Sequence, residues 1–83
     1  MKILPLRQDL VDELKKAGLI GKYKKQKRFF EHNFRHPSLN TEKLHPKKFN
    51  LYSFRIDRKW RAIFVFKDKE TVEVVDVNPH YND

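Results

Sequence analysis

Apolar residues in the first third of the chain keep a helical rhythm. Leu6, Leu10, Leu14 and Ala17, with Val11 beside them, recur at i+3 and i+4 and predict a helix over about 6–17. Gly18 then supplies a stop, because glycine enters the left-handed backbone that closes many helices without steric cost. Leu19, Tyr23, Phe30 and Phe34 share the face of a second helix over about 20–34. Gln26 interrupts that stripe, and Lys22, Lys24, Lys25, Lys27 and Arg28 cover the rest of the circumference. Ahead of the first helix, Lys2 to Leu6 fits a short edge strand limited by Pro5, which has no N–H for a ladder.

The period changes after residue 50. From Asn33 to Pro46 two prolines break helices while Ser38, Asn40 and Thr41 favour turns, so a long connection is expected. In the segment 51–57, Tyr52, Phe54 and Ile56 alternate with Ser53, Arg55 and Asp57, which puts the first set on the helices and the polar set where a ligand can reach. Arg58 and Lys59 turn the chain into a strand over 60–66 that is apolar on both faces except at Arg61, the pattern of a central strand. Lys67 to Glu70 turns it again into a strand over 71–77, running on through Asn78 and Pro79 to His80 and Tyr81. The expected fold is α+β, two N-terminal helices on one face of a small antiparallel meander in the order β-α-α-β-β-β, with all 83 residues in one domain.

Charge sharpens this picture. The formal net charge is +8, and residues 1–48 hold thirteen Lys or Arg against five acids whereas residues 49–83 hold six of each. Seven basic residues and no acid lie between Lys15 and Arg28. Such a run is either a solvated helix face or a surface for a polyanion or an acidic partner, with nucleic acid leading. With no cysteine there is neither a disulfide framework nor a thiolate metal site. No signal-type apolar stretch and no run of 18 apolar residues occurs, so a cytoplasmic protein is expected.

Arg61 carries the most information of any residue, because a cation beside the hydrophobic part of a sheet is costly unless paired or functional. Either it bridges to Asp57, Glu73 or Asp76 across the sheet, or its guanidinium grips a phosphate with help from Arg55 on the neighbouring strand. His80 follows the stiff Pro79, can donate a proton near neutrality, and is followed by the ring of Tyr81, which can stack on a base. His32, His36 and His45 match no metal-binding spacing, and neither a Gly-rich phosphate loop nor a nucleophile elbow occurs, so no metal or other cofactor is expected.

Four stretches, His36 to Leu44, Tyr52 to Ile56, Trp60 to Phe64 and Asp76 to Tyr81, together resemble the RelE/YoeB superfamily of toxin–antitoxin ribonucleases in order and spacing. The resemblance is close over residues 36–81 and extends to the helices only in pattern. It implies a helical pair on a small antiparallel sheet, an antitoxin partner, and cleavage of messenger RNA, usually on the ribosome. Carried over residue by residue, it matches Glu42 to a loop carboxylate, Arg61 and Arg55 to arginines of adjacent strands, and His80 and Tyr81 to a terminal His-Tyr pair. Here Asn82 and Asp83 follow that pair, where YoeB-like chains stop, and the N-terminal region is slightly short. Residues and resemblance together suggest attack of a ribose 2′-OH on its own 3′-phosphate, with Glu42 as general base, Arg61 and Arg55 stabilising the developing charge, and His80 as general acid. Lys43, Lys47 and Lys48, and Lys24, Lys25 and Lys27 on the second helix, are the candidates for RNA contact. Two other readings keep the sequence features: a non-catalytic basic module for structured RNA or the ribosome, and a ParE-like toxin of the same fold acting on gyrase.

Overall fold

In the computed structural model, which describes residues 1–79, a five-stranded sheet in the order β1-β5-β4-β3-β2 carries two helices on one face. The chain runs β1 (Lys2–Ile3), α1 (Gln8–Lys16), α2 (Ile20–His32), β2 (Glu42–Lys43), β3 (Tyr52–Arg55), β4 (Trp60–Phe66) and β5 (Thr71–Pro79). This is the expected α+β arrangement, and β4 has the limits read from the sequence. Two features depart from the expected order. The edge strand β1 pairs parallel to β5, and β2 forms inside the long connection, pairing Glu42 with Ser53 and Lys43 with Tyr52.

Gly18 closes α1 as expected, with φ +71° and its N–H on the carbonyl of Lys15. The stripe of α2 is continuous, because Gln26 is buried with Leu19, Tyr23 and Phe30 rather than breaking their face. Its Nε2 donates to the carbonyls of Ser38 at 3.1 Å and Arg55 at 2.8 Å, tying α2 both to the β2-side loop and to the end of β3. Burying an amide is tolerated when both its donors find acceptors.

An aromatic cluster fills the space between helices and sheet. The Phe30 ring lies 5.1 Å from both Phe54 and Phe64, and Tyr23 stacks on Phe54 at 6.3 Å. Leu10, Leu14, Val72, Val74 and Val77 complete the core beside it. Tyr23 alone is poorly served: its hydroxyl is buried without a hydrogen-bond partner among the described residues, and burial drives its pKa upward.

The sheet changes phase once. Phe64 pairs with Val74 but Ile63 pairs with Asp76, so Val75 is an extra residue on β5. Because one inserted residue reverses the alternation, Val72, Val74 and Val77 all reach the core, and Asn78 is turned to the opposite face beside Arg61, its partner on β4. The carbonyl of Val75 accepts from Arg7 Nη1 at 3.2 Å.

Candidate functional site

On the sheet face away from the helices, Glu42, Leu44, Ser53, Arg61, Ile63, Asn78 and Pro79 line a cleft of about 320 Å³. Strand register assembles it. Glu42 lies opposite Ser53, Ser53 opposite Ile63, and Arg61 between Arg55 and Asn78, so four strands each contribute to one patch of the face.

Arg61 is the centre. It is only 5% exposed, yet none of the carboxylates expected to pair with it does so. Asp57 accepts the N–H groups of Lys59 and Trp60 at the β3–β4 turn and meets Lys22 at 3.7 Å, Glu73 meets Lys67 at 3.5 Å, and Asp76 accepts from Asn78. The salt-bridge reading of Arg61 is therefore corrected: Asp57 is held by its own turn and by Lys22 of α2, Glu73 by Lys67 of the β4–β5 turn, and Asp76 by Asn78 on its own strand.

Neutral oxygens hold the guanidinium instead. Nε donates to Ser53 Oγ at 2.8 Å, and Nη2 donates to the carbonyls of Asn40 at 2.5 Å and Ser53 at 3.3 Å. Nη1 donates to no described residue. The group is thus fixed in orientation, remains cationic, and keeps donor capacity on the cleft side, which are the requirements of a preorganised oxyanion site. Burial pulls the Arg61 pKa down, with the Glu42 charge opposing that shift and the Arg55 charge adding to it.

Asn40 links the two catalytic candidates. Its carbonyl takes Arg61, its Nδ2 lies 3.4 Å from Glu42 Oε2, and its backbone is left-handed at φ 44°. Asparagine tolerates that region better than other side-chain-bearing residues do. Neither Asn40 nor Ser53 was assigned to the site from sequence, where they read as a turn former and a polar strand position. The available signal was a small hydroxyl residue opposite the arginine strand.

The remaining candidates fall in four groups. Arg55 pairs directly across from Arg61 but does not line the cleft; it lines a separate pocket with Lys22, Lys25, Gln26, Ser38 and Asp57 beside α2. Lys43, Lys47 and Lys48 are exposed but lie around the β2–β3 connection, Lys43 over the Tyr52 ring and Lys48 over Phe49. Lys24, Lys25 and Lys27 belong to α2 on the other side of the sheet, Lys24 and Lys27 rimming a groove with Leu4, Leu6, Val11, Ile20 and Tyr23. His80 and Tyr81 lie outside the described residues; β5 ends at Pro79, which lines the cleft. His36 has a local task, its Nδ1 accepting from the Ser38 N–H at 3.1 Å and its ring stacked on Phe29 at 4.2 Å. Among the described residues no three His, Asp or Glu side chains gather as a metal site, and no helix is long and apolar enough to cross a membrane.

A solved structure described as a YoeB/ParE toxin from Agrobacterium tumefaciens superposes with a TM-score of 0.70, covering 98% of this chain and 100% of that one at 19% sequence identity. No family model matches the chain, and no curated sequence aligns with it.

Proposed function

We propose that this chain is the toxin of a toxin–antitoxin module and an endoribonuclease of the RelE/YoeB kind, cutting messenger RNA, on the ribosome, without a metal ion. The observation that carries this reading is Arg61: a buried guanidinium with no carboxylate partner among the described residues, held by Ser53 and Asn40 and aimed into a cleft that also holds Glu42.

RNA supplies its own nucleophile, so the protein needs a base, an anion cradle and an acid. Glu42 takes the proton of a ribose 2′-OH as its oxygen attacks the adjacent phosphorus. Arg61 and Arg55 stabilise the added negative charge of the phosphorane. His80, next after the cleft residue Pro79, protonates the departing 5′-oxygen, and Tyr81 stacks on a neighbouring base. The products are a 2′,3′-cyclic phosphate and a 5′-hydroxyl. The shared fold brings with it the expectation of a cognate antitoxin and of a cytoplasmic site of action.

The test is to incubate the purified chain with a translated message and to map both ends of each cut. Cyclic phosphate ends that vanish with Arg61→Met or His80→Gln support the reading. Intact message, together with inhibition of gyrase supercoiling, would instead place the chain with ParE-like toxins, whose name the solved neighbour's description also carries.

A further inference from the structure

The largest apolar exposure lies away from the cleft. Phe49 is 59% exposed and Phe66 38%, the two large hydrophobic side chains left open on the described surface. They do not stand singly. With Asn50, Tyr52 and Val65 they line a bay of about 400 Å³ at the end of the β3–β4 ladder. Contiguous exposed aromatic surface on a small soluble domain marks an interaction site more often than chance.

Its walls are aromatic and its rim is basic. Tyr52 meets Phe66 edge to face at 5.0 Å, and Phe66 meets Phe34 in the same way at 6.3 Å. Phe49 ends a 3-10 turn, Lys47–Phe49, that is closed by the N–H of Asn50 on the Lys47 carbonyl, with Asn50 left-handed at φ 54°. Lys48 Nζ stands 5.5 Å from the Phe49 ring and Lys43 Nζ 5.6 Å from Tyr52. The Asn50 side-chain amide makes no hydrogen bond to a described residue, so a donor and an acceptor both remain open at the mouth.

We propose that this bay receives one unpaired nucleobase of the same RNA strand whose phosphate occupies the Arg61 cleft, an inference that rests on the RNA-cleaving reading above. An open phenyl ring supplies a stacking surface, the Asn50 amide can pair with a base edge, and Lys43, Lys47 and Lys48 supply cations for flanking phosphates. The two sites are neighbours through β2: Glu42 and Ser53 form one rung facing the cleft, and Lys43 and Tyr52 form the next rung, facing the bay side. A second copy of this chain is a poor occupant, since it would bring the same lysines and a net charge of +8 against them.

The test uses a short single-stranded 2′-O-methyl oligoribonucleotide, which cannot be cut through a 2′-OH, and reads affinity by fluorescence anisotropy at one salt concentration. Phe49→Ala should weaken binding by about 5- to 150-fold, the range for one lost base–aromatic stack, whereas Phe49→Trp should preserve it. Moving a single abasic nucleotide along the oligomer should find one position that causes a similar loss, with no further loss in Phe49→Ala. Equal affinity of Phe49→Ala and wild type, losses that multiply at every abasic position, or no binding of this RNA by wild type would each overturn the proposal. So would a Phe49→Ala effect confined to self-association in sedimentation. Cleavage of translated message is scored separately: a wild type that cuts RNA while Phe49→Ala binds normally removes only the bay, and one that shows the abasic signature without cutting removes only the nuclease reading.

Discussion

Ser53 Oγ accepts a 2.8 Å hydrogen bond from Nε of Arg61, joining two fully or nearly buried polar side chains on adjacent strands. The serine serves as an orienting contact rather than a counter-charge. A carboxylate there would neutralise the guanidinium and compete with a phosphate for it. Ser53→Ala should leave Nε–H without its partner, lowering stability by about 1.5–3 kcal/mol, the range for a hydrogen bond to a charged group, and slowing cleavage with the fold retained. Chemical denaturation and single-turnover cleavage measure the two effects, and unchanged values in both would remove Ser53 from the site.

Arg61 itself should be dispensable for folding. A buried cation with no ionic partner among the described residues offsets much of its hydrogen-bond energy by desolvation, so an apolar replacement of similar length is often neutral or better. Arg61→Met is expected to melt at or above the wild-type temperature while losing anion binding and cleavage. A large drop in melting temperature would mean that the guanidinium is a structural element of the sheet.

Asn40 separates backbone from side-chain effects. Asn40→Gly keeps the left-handed backbone and the carbonyl that holds Arg61 but frees Glu42, so stability should change little while cleavage falls. Asn40→Ala should be less stable than Asn40→Gly by about 1 kcal/mol, because a Cβ is disfavoured in that region. Equal stability of the two variants would contradict the conformation described for residue 40.

Tyr23 carries a pH signature. Unfolded, its hydroxyl ionises near 10, and burial raises the folded value above that. Between the two values the native state holds a proton that the unfolded state releases, so stability must fall as pH rises past about 10, by up to about 1.4 kcal/mol per unit. Tyr23→Phe should lack this component and, having no unpaired hydroxyl to bury, should match or exceed wild-type stability at neutral pH. The difference between the two proteins across pH 9 to 11 isolates the effect from lysine titration; a constant difference would contradict it.

Much of this was legible in the chain. The alternation of Tyr52, Phe54 and Ile56 with polar residues gave the strand its two faces, and a lone arginine in the apolar run from Trp60 to Phe66 marked the cleft. What escaped notice depended on long-range partners. Gln26 looked like a break in a stripe because its acceptors, the carbonyls of Ser38 and Arg55, are distant in sequence. The bulge at Val75 is written in the consecutive valines 74 and 75, but only pairing with β4 decides which residue is extra. β2 is too short to have a period, and its pairing comes from β3. Arg61 was offered three carboxylates by sequence, but the β3–β4 turn and Lys22 hold Asp57, Lys67 holds Glu73, and Asn78 holds Asp76.

Replacing Lys24, Lys25 and Lys27 with glutamine tests whether the α2 surface serves a polyanion. Each lost phosphate contact should lower the slope of log affinity against log salt by roughly 0.7–0.9. Affinity and salt slope should fall for ribosomal RNA or for an acidic antitoxin segment, and constancy with both would reduce that surface to a solvated helix face.

The most direct measurement concerns the nucleophile. A message with a single 2′-deoxy nucleotide on the 5′ side of the mapped cut retains every phosphate for Arg61 and Arg55 but lacks the attacking hydroxyl. It should bind as the parent does and resist cleavage at that position, while His80→Gln slows cutting of the all-ribose message by roughly 10²–10⁴-fold, the usual contribution of one acid–base group. Cleavage of the deoxy message at the parent rate would mean that water or a protein group attacks, and would contradict a cleft built for RNA's own 2′-OH.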